Sequence, residues 1–139
     1  LKVYARLSTR FGDYKVDDEG VIIIEWSSGT TSIIESGWWH PHSDGAEAST
    51  QLFGTAGYGR LFPTQWHTGT GDDMTVIAPE FPERTEHCDQ AIYDAQMSAF
   101  IEGIRSGGVI NPGAEEGLVV MQICDAAYRS SDLGEVVSL

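Results

Sequence analysis

The chain has 139 residues, enough for one domain with a real core. It carries 21 acidic against 8 basic residues, a formal net charge of −13. That balance argues against nucleic acid, which needs clustered Lys and Arg for its phosphates, and against anionic membrane surfaces; it suits a solvated acidic surface. No run approaches the roughly 20 apolar residues of a membrane span, and no signal peptide is evident.

Two cysteines, Cys88 and Cys124, are too few for a disulfide framework. Each falls in a helical pattern and reads as a small core residue, a usage that suits a reducing, cytoplasmic setting. The chain opens at Leu1 directly in strand-like sequence, so a piece of something longer is expected.

Lys2 to Thr9 alternates as a strand, with Val3, Ala5 and Leu7 on one side and Tyr4 and Arg6 on the other. Phe11 to Gly20 is a polar connection rich in turn signals. Val21 to Trp39 reads as a hairpin: a strand, a tight turn at Ser27-Ser28-Gly29-Thr30, and a second strand. Val21-Ile22-Ile23-Ile24 is apolar at every position, which predicts cover on both faces and a place in the middle of an antiparallel sheet.

His40 to Gly45 is a loop. Glu47 to Phe53 and Tyr58 to Phe62 are strand patterns joined by the turn Gly54-Thr55-Ala56-Gly57. Thr64 to Asp73 is a polar loop, and Met74 to Ala78 a short strand ended by Pro79 and Pro82.

The periodicity then changes. From Asp89 to Ser106, Tyr93, Met97, Phe100, Ile101 and Ile104 share one helical face. Gly107-Gly108 stops that helix. Asn111-Pro112 reads as the cap and first residue of another, with Glu115 and Glu116 in its first turn and a stripe of Leu118, Met121, Cys124, Ala127 and Tyr128. Gly134 ends it, and Glu135 to Leu139 is a last strand. The fold class is therefore α+β, one domain over residues 1–139, with an open-faced, mainly antiparallel sheet and two helices packed on one face. The other face is left for another subunit or another domain to cover.

Few residues suggest chemistry. His40 and His42 would point the same way in an extended segment, as a metal pair needs, but only Asp44 is near as a third ligand and Pro41 favours an ordinary polar loop; no metal site is assigned. Gly54, Gly57 and Gly59 invert the order of the dinucleotide fingerprint and precede a strand rather than a helix, so a hairpin turn is the reading. Trp38 and Trp39 point to opposite sides of the hairpin's end. One suits the core; the other lines a sugar or cofactor pocket or packs in an interface. Adjacent carboxylate pairs diverge in direction and carry no acid–base role.

Three stretches in order are familiar: VDDEGVIIIEWSSGTTSIIESGW, then STQLFGTAGYGRL, then SAFIEGIRSGG leading through NPGAEEGLVVMQICDAAYRSSDLGEVVSL. Together they resemble the C-terminal domain of the Gfo/Idh/MocA oxidoreductases, with Gly54, Gly57 and Leu61 in that family's glycine turn, Ala99-Phe100-Ile101-Glu102 in its helix and Ala127-Tyr128-Arg129-Ser130 in its closing segment. The resemblance covers Val3 to Leu139.

The resemblance implies an enzyme dependent on NAD or NADP, acting on a sugar, inositol or related polyol. It places the cofactor in an N-terminal Rossmann domain, which this chain lacks, together with the family's catalytic Lys, Asp and His. No residue here then inherits a catalytic or cofactor-binding role, and the chain alone is expected to be inactive and to bind no cofactor. What it implies for this chain is the sheet that forms a homo-dimer or tetramer interface, and one wall of the substrate pocket, for which Trp38, Trp39, His40 and His42 are the candidates. The alternative is a free-standing interaction module of the same fold that performs no chemistry.

Overall fold

The computed structural model describes residues 1–37, 50–61, 64–79 and 90–139. These fall into two compact units. The first takes three strands, β1 (Lys2–Ser8), β2 (Glu19–Glu25) and β3 (Thr31–Gly37), with helix α2 (Ala114–Leu133), strand β8 (Val137–Ser138) and the part of helix α1 (Gln90–Ser106) from Gln96 onward. The second holds β4 (Thr50–Gly54), β5 (Gly57–Leu61), β6 (Gln65–Thr68) and β7 (Thr75–Ile77). Each unit has one four-stranded antiparallel sheet, ordered β3-β2-β1-β8 and β4-β5-β6-β7. The expected α+β class and antiparallel pairing are those of the structure.

In the first sheet the period of two sorts the side chains. Val3, Ala5 and Leu7 of β1 pair in register with Ile24, Ile22 and Gly20 of β2, and these with Ser32, Ile34 and Ser36 of β3. This is the helix side. Val3, Ala5, Ile24, Val137 and, from α2, Ile123, Ala126 and Ala127 make one buried cluster. The small side chains Ala126, Ala127 and Ser130 let α2 lie close along β1 and β8. The opposite side carries Tyr4, Ile23 and Ile33 in one row and Arg6, Val21 and Glu35 in the next. Val21 and Ile23 are each over a third exposed there. Among the described residues the apolar run Val21–Ile24 is thus covered on one face only.

The hairpin turn is as expected: Trp26 N–H donates to Thr30 O (2.9 Å), Gly29 N–H to Trp26 O (2.9 Å), and Gly29 has φ 86°. The hairpin's place differs, since β2 is interior but β3 is an edge strand of its four-stranded sheet. Thr64 to Asp73, expected as a loop, contains β6 and a 3₁₀ turn at Gly71–Asp73. Cross-strand pairing of Gln65–Thr68 with β5 outweighs the polar local composition.

Helix α2 starts two residues later than read. Its N-cap is Gly113, whose N–H donates to Glu116 Oε2 (2.8 Å), so Asn111 and Pro112 lie before the helix. Its buried residues are Ile123, Ala126, Ala127 and Ser130, while Leu118 and Met121 of the expected stripe are exposed. Close contact with the sheet favours the small residues beside Ile123, and Leu118 and Met121 face away. Gly134 closes the helix with φ 71°, its N–H donating to Ser130 O (2.8 Å).

Candidate functional site

A cavity of about 260 Å³ opens in the first unit, between α2 and the helix side of β2 and β3. Its floor is apolar, from Leu7, Ile22, Ile34 and Ala127; Asp17 and Tyr128 stand at its rim. The floor follows from the register. Burial falls along the row Ala5–Ile22–Ile34: Ala5 is fully buried, Ile22 half-buried, and Ile34 43 % exposed.

The rim is fixed by hydrogen bonds. The Tyr128 hydroxyl donates to Asp17 Oδ1, joining α2 to the connection between β1 and β2. That bond, then burial, then the Asp17 charge raise the Tyr128 phenol above its ordinary value. The neighbouring Asp18 is buried and accepts four hydrogen bonds: from the N–H groups of Arg10 (2.8 Å), Phe11 (2.9 Å) and Gly12 (3.1 Å), and from the Tyr14 hydroxyl (3.0 Å). Burial pushes its carboxyl up, but the four donors outweigh that and hold it down at about 2. Asp18 is a loop anchor with its acceptors engaged, and it organises Arg10 to Tyr14 around itself. The sequence marked this stretch as turns and missed the anchor, although an Asp among Gly and aromatic residues is a signal for it.

The free thiol of Cys124 lines the same cavity, half-buried. Among the described residues no group of three His, Cys, Asp or Glu side chains is placed to hold a metal ion. Trp38, Trp39, His40 and His42, the candidate pocket residues, lie outside the described residues, as does Cys88.

The glycines that tempt a nucleotide reading do something else. Gly54 pairs with Gly57 across a two-residue turn, and Gly59 lies within β5, opposite Trp66. The N-terminus of α2 is taken by Glu115 and Glu116, which would repel a pyrophosphate. Neither the glycine hairpin nor the start of α2 offers the backbone cradle of a pyrophosphate site.

With this geometry in hand, comparison decides the family: residues 2–139 match the oxidoreductase family, C-terminal alpha/beta domain. The chain belongs to the Gfo/Idh/MocA oxidoreductases. It is 26 % identical over 124 residues to an inositol 2-dehydrogenase of Pseudomonas fluorescens, covering 88 % of this chain and 35 % of that protein. It is 25 % identical over 127 residues to the D-glucoside 3-dehydrogenase of Escherichia coli, covering 91 % and 34 %. Among solved structures it resembles a levoglucosan dehydrogenase in complex with NADH, with TM-score 0.80 at 18 % identity, covering 98 % of this chain and 44 % of that one. The chain thus spans about a third of the length of the curated relatives it matches. The eight strands and two helices among the described residues fall within the matched region.

Proposed function

We propose that this chain is the C-terminal part of an NAD- or NADP-dependent dehydrogenase acting on an inositol, a sugar or a related polyol in the cytoplasm. The observation that carries the reading is the family match across residues 2–139, joined to two relatives that oxidise an inositol and a glucoside and are more than twice as long. The cofactor belongs to an N-terminal Rossmann domain of the parent protein, a reading supported by the match of this chain to the family's C-terminal domain. By itself the chain is inactive.

Two roles fall to it. The outer face of the first sheet, with Tyr4, Val21, Ile23 and Ile33, meets the same face of a second copy in a homo-dimer or tetramer. Trp38, Trp39, His40 and His42 stand on the substrate side, where flat rings and imidazoles suit the apolar faces and hydroxyl edges of a polyol.

The test is the full-length protein assayed with NAD and NADP against myo-inositol and an alkyl glucoside, following the absorbance of the reduced nicotinamide. Turnover of either polyol supports the reading. Binding of neither cofactor overturns it. Alanine at each of the four aromatic and histidine positions then decides the pocket assignment: it stands if KM or kcat moves at one or more, and falls if none changes either.

A further inference from the structure

We draw no further inference here: the strongest candidate, the face of the second sheet on which the Phe53–Tyr58–His67 row lies beside the Gln51–Arg60–Gln65 row, is a surface patch, and nothing in the structure shows what covers it.

Discussion

Ser130 Oγ accepts the backbone N–H of Ala5 at 2.9 Å and donates to Glu135 O at 2.5 Å. Strand β8 is short and pairs only with Lys2 and Val3, so among the described residues no strand lies beside the edge of β1 beyond Val3. The last turns of α2 supply the missing partners: Ser130 for Ala5, and Ser131, whose Oγ accepts the Leu7 N–H at 2.9 Å. Both Ala5 and Ser130 are fully buried. Ser130→Ala leaves the Ala5 N–H buried without a partner and is expected to cost about 1–3 kcal/mol. Ser131→Ala, at a half-buried site, should cost less, about 0.5–1.5 kcal/mol. Urea denaturation of the variants, read as a change in midpoint at constant slope, measures both; equal losses would remove the distinction drawn from burial.

Asp18 predicts a pH dependence. Its folded-state value of about 2 is below its ordinary 3.8, so the ionised carboxylate stabilises the fold. That contribution is fully present above pH 3.8 and is lost as pH falls through about 2. Asp18→Asn keeps the shape and removes the charge. It should lower stability at neutral pH and flatten the stability profile across that acid window. A variant profile parallel to the wild type throughout would show that Asp18 does not carry the acid response.

The legible part of this fold was its periodicity. Val3, Ala5 and Leu7 against Tyr4 and Arg6, the Gly29 turn and the Gly134 stop are local patterns, and the structure keeps them. What escaped were features set by partners distant in sequence. Strand β6 exists because Gln65–Arg60 and Trp66–Gly59 pairing fixes it. The buried face of α2 is rotated onto Ala126, Ala127 and Ser130 because closeness to β1 favours small side chains. The cavity beside α2 was invisible for a similar reason: nothing local in Ile22 or Ile34 says that a helix covers their row on one side only.

Tyr128 offers a spectroscopic handle on the cavity rim. Its phenol is raised chiefly by donating to Asp17, and it ionises above an ordinary tyrosine. Asp17→Asn removes the charge that favours the protonated phenol, so an ultraviolet titration should show one tyrosine moving down toward the ordinary value. The same titration in Tyr128→Phe should lose one late-ionising tyrosine and keep the other, Tyr14, whose phenol burial and Asp18 also raise. If Asp17→Asn leaves the curve unchanged, Asp17 does not control the rim.

Gly57 is where the second sheet requires the absence of a side chain. A Cβ built there meets His67 O at 2.3 Å, and that neighbour is backbone of the paired strand β6. The backbone cannot step aside without loosening the Gly57–Thr68 end of the ladder. Gly57→Ala is expected to destabilise by about 1–3 kcal/mol. Gly59, whose nearest contacts are 3.9 Å away, should tolerate alanine far better. Thermal unfolding of the pair checks the contrast, and a Gly57→Ala protein as stable as Gly59→Ala would refute it.

Ile33 tests the outer face of the first sheet. It is 72 % exposed on the edge strand β3, in register with Ile23 and, through it, Tyr4. A charge at so open a position costs the fold of one copy little, about 0.5 kcal/mol or less. In a face-to-face dimer the same charge would be buried without a partner and would cost several kcal/mol. Ile33→Glu in the full-length protein should therefore leave the circular dichroism spectrum intact and shift the mass measured by light scattering to that of one chain. An unchanged oligomer would mean that the surface joining the copies lies elsewhere, and the apolar row Tyr4–Ile23–Ile33 would need another partner.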